Sequence, residues 1–293
     1  MDPTISMYVS QGIHGIAYGM ILFLIASGLN IIFGMMGILN MAHAAFFMLT
    51  GYFCYQVVTW TGNFWLGLLI GPIVSAFLGI LMERIFLRHA HKSGHIGELI
   101  LTMGIANVIV AAIKKIWGTE SLPLQMPEIL SGMVNIFGVS YPVYRLFVIC
   151  LALVILVFMM LLLYRTRLGK IVRAAVSDRD MVNALGININ LVFMFVFGVG
   201  TWMAGIAGVA IAPILTVFPG LADQVGMDAF IVVVTGGFGS LAGAFIVSII
   251  FGLLSSYGVQ FVSQFAPVLM VIFMAIVLAI RPNGLFGVKE QQK

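Results

Sequence analysis

The sequence predicts an all-α fold, a polytopic transmembrane helical bundle of about 8–10 membrane segments with some helices broken at glycine. Composition is the first reason: 62% of the 293 residues are hydrophobic and 8% are charged, where soluble domains carry about 25% charged residues. Mean hydropathy is +1.15. The second reason is length. Apolar runs of about 20 residues, each able to cross roughly 30 Å of hydrocarbon, recur along the chain with no soluble domain between them. Residues 1–293 are therefore expected to form a single membrane domain. The third is charge placement, because Lys and Arg gather in connectors and leave the runs nearly bare. The formal charge of +4 then reports topology rather than an acidic partner, and nucleic-acid binding has no support. Cys54 and Cys150 lie in predicted spans without CxxC, His-rich or paired-carboxylate context, and read as apolar fillers rather than metal or redox groups.

The first span is expected over about residues 12–33, where Gly15 and Gly19 form a small-xxx-small face for close helix packing. His14 is placed at its outer end as an interfacial side chain. Residues 1–11 contain no Lys or Arg for a signal-peptide n-region, so this span is expected to act as its own targeting signal. The second span, about 37–58, carries Asn40, His43 and Phe47 on one helical stripe. The third, about 64–86, runs into a basic connector with Glu83, Arg84, Arg88, His89, His91, Lys92 and His95. The fourth, about 96–117, contains Glu98, Thr102 and Asn107. Glu98 is close enough to the cytoplasmic end to pair with a basic neighbour or reach headgroups, and a proton-relay role is the less favoured reading. Residues 118–142, with Pro123, Pro127 and Gly132, read as an external loop lying on the membrane or on a partner.

The fifth span, about 143–164, is aliphatic throughout and is expected to face lipid. Residues 165–188 follow, with Arg165, Arg167, Lys170, Arg173 and Arg179 fixing the segment on the cytoplasmic side. Ser177 or Asp178 is a candidate N-cap and Gly186 a stop, so two short helices joined at 177–178 are expected. The sixth span, about 191–213, has a small-residue seam of Gly198, Gly200, Ala204, Gly205 and Gly208. An outer loop over 216–226 leads to a second glycine-broken segment, 228–257, interrupted at Gly236, Gly237 and Gly239. That segment reads as two short spans, with a re-entrant pair or one kinked helix also open. A last span covers about 265–280. The result is about nine crossings, N-terminus outside and C-terminus inside. Arg84, Arg88, Lys92, the five basic residues of 165–188, Arg281, Lys289 and Lys293 fall inside, and only Lys114, Lys115 and Arg145 outside.

The chain is organised around residues 28–49, where Asn30, Asn40 and His43 are punctuated by Gly28, Gly34 and Gly37 inside apolar sequence. An unpaired buried amide or imidazole costs roughly 2–7 kcal/mol, so these side chains are expected to face protein or a water-filled path. Gly34 and Gly37 would let one helix end and another begin at membrane depth, where irregular backbone is tolerated only when covered or lining a cavity. A glycine-interrupted segment in each half, at 34–51 and 236–243, is the arrangement that in inverted-repeat transporters marks the pathway. No residue-level repeat accompanies it.

A source of energy is missing from the chain. There is no GxxxxGK[ST] loop, and Gly236-Gly237-Phe238-Gly239 lacks the lysine. The charged helical hairpin over 165–188 is suited instead to sit in a groove on a separate ATPase and transmit its motion.

Gly28-Leu29-Asn30-Ile31-Ile32-Phe33-Gly34, Gly37-Ile38-Leu39-Asn40-Met41-Ala42-His43, the loop over 169–186 and the glycine segment over 235–243 resemble the branched-chain amino acid ABC transporter permeases of the LivH type. The order and spacing match from about Gly12 to Gly287. The resemblance implies one of two non-identical membrane subunits, working with two cytoplasmic ABC ATPases and an external solute-binding protein. It implies no cofactor on this chain, with ATP and Mg used by the ATPases, and a multi-pass location in a bacterial inner membrane. Family members import branched-chain amino acids, other amino acids, urea or amides. By the same resemblance Asn30, Asn40, His43, Phe47, Thr235, Gly236, Gly237 and Gly239 border the pathway, and Arg173, Ala174, Ala175, Asp178, Leu185 and Gly186 belong to the ATPase-coupling loop. The chain departs from the usual pattern after His43, where Gly followed by Asp or Glu is common and Ala44-Ala45 stands here. This makes the neighbourhood more apolar and leaves a different amino acid or an organic acid open as solute. For Asn40 and His43, substrate contact and a helix-packing hydrogen-bond role stand level. A passive channel for urea or an amide is the runner-up, and an intramembrane enzyme ranks last because His43 has no acid, base or metal partner nearby in sequence.

Overall fold

The computed structural model describes residues 3–91, 94–136 and 139–287; Lys92, Lys289 and Lys293 of the charge pattern lie outside them. Helix α1 spans Pro3–Met36 without a single Asp, Glu, Lys or Arg. Its apolar residues are not confined to one face, and each residue from Met20 to Ala26 is at most 4% exposed. A helix apolar all round can meet either lipid or protein in a membrane, and the burial of these residues puts α1 at the centre of the bundle.

Helix α2, His43–Thr61, closes on Gly62 in the left-handed conformation, and Asn63 caps α3, Phe64–Met82, by accepting from the N–H of Trp65 at 2.9 Å. A π-helical turn, Glu83–Leu87, carries α3 into the short α4, Arg88–Ala90. Helix α5 covers Gly94–Trp117. Beyond it a 3-10 turn and an antiparallel hairpin, β1 Met133–Ile136 with β2 Val139–Pro142, occupy the predicted external loop. That loop is therefore structured: Leu122 exchanges backbone hydrogen bonds with Val217, tying it to the loop over 212–220.

The chain continues as α6 Val143–Arg165, α7 Arg167–Ser177, α8 Arg179–Ala184, α9 Ile189–Ile211, α10 Leu221–Gly236, α11 Leu241–Val262 and, past a 3-10 turn, α12 Ala266–Ile280. Among the described residues six stretches are long and apolar enough to cross a membrane: Ser6–Met36, Phe64–Ala90, Gly94–Trp117, Val143–Arg165, Ile189–Ile211 and Leu241–Ile280. Helix α2 packs within the bundle chiefly against α9 and α3, and α10 against α11 and α1. Outward-facing Leu153, Val154, Val157 and Phe158 of α6 are exposed, as expected of a lipid-facing helix.

Close crossings run through the glycine seams. A Cβ at Gly15 would lie 2.8 Å from the Leu253 Cα on α11, and one at Gly205 of α9 would lie 2.8 Å from the Pro72 Cα on α3. Small residues at such positions let backbones approach where dispersion, not the hydrophobic effect, must hold helices together.

Several boundaries differ from the sequence expectation. The first break falls at Gly37, φ +68°, while Gly34 remains inside α1. Asn40 lies in the connection before α2 rather than on it, so the single stripe reduces to His43 and Phe47. Helix α10 begins at Leu221, inside the expected outer loop, and α11 is a full 22 residues rather than a short span. Residues 237–240 separate the two helices, excluding one kinked helix.

Candidate functional site

The second glycine break seats on α1. The Asn30 side chain, 1% exposed, donates through Nδ2 to the Ser240 carbonyl at 2.7 Å and accepts from the Gly239 N–H through Oδ1. One turn on, a Cβ at Gly34 would lie 2.7 Å from the Gly239 Cα. The Phe33 and Phe238 rings are 4.0 Å apart. Gly237 and Gly239 adopt φ values of +97° and +79°, which L side chains rarely adopt. Carbonyls left open at the end of α10 are closed by the chain after α12: Leu285 N–H donates to Thr235 O at 2.9 Å and Phe286 N–H to Gly236 O at 3.1 Å. The buried Thr235 hydroxyl has no hydrogen-bond partner.

At the first break Asn40 turns back on its own backbone, with Oδ1 accepting from the Ala42 N–H at 3.1 Å. Thr102 of α5 accepts from the Met41 N–H at 3.2 Å. His43 Nε2 lies 3.0 Å from the Ile25 carbonyl, which only accepts, so Nε2 carries the proton. The Asn40 Nδ2 and His43 Nδ1 atoms are buried and unpartnered. Phe47, fully buried, sits where α2 meets Gly208 of α9. Asn30, Gly34, Phe238 and Gly239 are thus brought together, while His43 touches α1 higher up, at Ile25 and Gly28.

The second cluster is the hairpin of α7 and α8. Thr166 accepts from the Gly169 N–H at 3.0 Å and Asp178 from the Met181 N–H at 2.9 Å, so each helix has its own N-cap. Gly186 ends α8 at φ +81°. Val172, Ala175 and Val182 are buried beneath the hairpin, while Arg173, Ala174, Asp178, Leu185 and Gly186 are exposed. The Arg173 guanidinium lies 5.0 Å over the Tyr164 ring. Ala175 is thus the member of the predicted coupling set that faces the bundle.

Sequence reasoning missed two polar features. Tyr18 of α1 donates to the Asp228 carboxylate of α10 at 2.6 Å across 210 residues of sequence. Glu83, in the π turn, is fully buried and neither carboxylate oxygen has a hydrogen-bond partner; a carboxylate at the end of an apolar span was the signal available. Glu98 does find a basic neighbour, with His91 Nδ1 2.6 Å from Oε1 and His95 Nδ1 3.6 Å from Oε2. Among the described residues no group of three His, Cys, Asp or Glu side chains is placed to hold a metal ion.

Residues 13–280 match the family model described as branched-chain amino acid transport system / permease component. The chain belongs to this family. Curated relatives extend over the whole permease. BraD of Pseudomonas aeruginosa, named a high-affinity branched-chain amino acid transport system permease protein, is 27% identical over 99% of both chains. LivH of Escherichia coli K12, with the same descriptive name, is 25% identical over the full length of both. LivM of Salmonella typhimurium, also so described, is 25% identical over 97% of this chain and 72% of its own. No solved structure gives a significant match.

Proposed function

We propose that this permease is one of two non-identical membrane subunits of an ATP-binding-cassette importer. Its partners are a second, LivM-like permease, two cytoplasmic ATPases that bind ATP and Mg, and an external solute-binding protein. The cargo is a branched-chain amino acid or a related small polar or organic-acid solute. The chain lies in a bacterial inner membrane with its N-terminus outside and its C-terminus inside. The observation that carries this reading is the α7–α8 hairpin: two capped helices whose apolar underside is seated on a membrane bundle and whose exposed side holds Arg173, Asp178, Leu185 and Gly186. Such a rigid, charged projection suits a groove on an ATPase. The names of the full-length relatives supply the solute class.

The break regions at 37–42 and 237–240, with Asn30, Asn40, His43 and Thr235, border the solute pathway in this reading. Their unpartnered Nδ2, Nδ1 and Oγ1 atoms offer weak polar contacts, which suffices when an external protein selects the solute. The test is ATP hydrolysis by the reconstituted complex. Arg173→Glu and Gly186→Val are expected to abolish stimulation by the loaded binding protein while the chain still inserts and co-purifies with its partners. Unchanged stimulation defeats the coupling assignment. His43→Ala is expected to lower ATP-driven uptake without preventing complex assembly, and unaltered uptake kinetics would assign His43 to packing alone.

A further inference from the structure

On the side of the bundle that carries the α7–α8 hairpin, a cavity of about 340 Å³ opens between the end of α1, the start of α5, α8 and the start of α9. Met36, Ile189 and Phe193 give its lining apolar surface, and His91, Glu98, Asn183 and the exposed His95 give it polar groups. Glu98 is 5% exposed, and its Oε2 atom has no hydrogen-bond partner, its one basic neighbour among the described residues being His95 Nδ1 at 3.6 Å, beyond hydrogen-bond distance. His91 spends Nδ1 on Glu98 Oε1, leaving a buried and unpartnered Nε2. A buried carboxylate oxygen and an imidazole nitrogen left open in the same lining call for a donor, and a cation satisfies both most strongly.

We propose that this cavity binds a free zwitterionic amino acid with an aliphatic side chain. The ammonium group is received by Glu98 Oε2 and His91 Nε2, the carboxylate by the Asn183 amide, and the aliphatic side chain by Met36, Ile189 and Phe193. The volume lies within the range of small-molecule sites, which combine an apolar lining with a few convergent polar groups. A metal ion is the poorer occupant, because among the described residues no group of three His, Cys, Asp or Glu side chains, His91, His95 and Glu98 included, is placed to hold one. The choice of an amino acid over a simple amine rests on the permease reading above. An occupant of this cavity touches α8 of the hairpin and the end of α1 beside the first break.

The test is binding of radiolabelled L-leucine to the purified full chain, with the partner subunits that accompany it, in nanodiscs free of binding protein and nucleotide. Saturable binding is expected, displaced by excess L-leucine but not by 4-methylpentanoate, which lacks the ammonium group. Glu98→Gln is expected to weaken binding about tenfold or more, by removing the charge that receives the ammonium. Ile189→Trp fills the apolar side and leaves Glu98 and His91 in place, so it decides the matter if Glu98→Gln fails to fold; it too is expected to weaken binding. Absence of saturable binding to folded protein, or binding that Ile189→Trp leaves unchanged, overturns the proposal. ATP-driven uptake by the reconstituted complex is read separately, and its absence rejects the importer reading instead.

Discussion

At Gly34 a hydrogen stands where a methyl group would meet the backbone of Gly239, and this close approach seats the second break on α1. Gly34→Ala is expected to lower the melting temperature in detergent, at a cost of about 1–3 kcal/mol, because backbone rather than a flexible side chain must move. Gly104 of α5, with nothing within 4 Å of an added Cβ, is the matched control. Gly104→Ala is expected to be neutral or to stabilise by up to about 1 kcal/mol through helix propensity. Equal melting temperatures for the two variants would show that the helices adjust freely at Gly34. Asn30 and His43 were legible in the sequence because an amide and an imidazole are conspicuous in apolar surroundings. Their partners were not, since the carbonyls of Ser240 and Ile25 belong to residues that nothing in the pattern distinguishes. The Tyr18–Asp228 pair escaped for the same reason: 210 positions separate its members, and only the crossing of α1 with α10 brings them together.

Among the elements, the α7–α8 hairpin was the most readable, because its signals are local. A cap carboxylate, a left-handed glycine and an apolar underside recur within about one helical turn of the backbone groups they serve. Asp178→Ala is expected to destabilise α8 by about 0.5–2 kcal/mol. Hydrogen exchange should then quicken in Arg179–Ala184 while α9 keeps its protection, and identical exchange rates would show that packing of Val182 alone holds the helix. The β1–β2 hairpin was not anticipated. Its register lies over Pro- and Gly-rich sequence with few cues, and the Leu122–Val217 bridge beside it depends on a distant loop. The capping of α10 by Leu285 and Phe286 was equally hidden, being a tertiary substitute for a local C-cap.

At the scale of the whole molecule, the order in which the parts are made differs from the order in which they are covered. Helix α1 leaves the ribosome well before the helices that enclose it most extensively, α9 and α11, Ile189–Ile211 and Leu241–Val262. At about 5–20 residues per second, roughly ten seconds or more of synthesis separate the first helix from the last of its covering partners. During that interval Asn30 has neither Gly239 nor Ser240 to bond, and the faces of Gly15 and Gly19 meet lipid rather than helix. Nascent chains arrested before Leu241 are therefore expected to show α1 accessible to membrane-restricted crosslinkers, and chains arrested beyond Val262 to show it protected. Biogenesis of this permease then depends on whatever holds a lone, unusually apolar first helix in the bilayer until the chain's own distal half arrives to replace it.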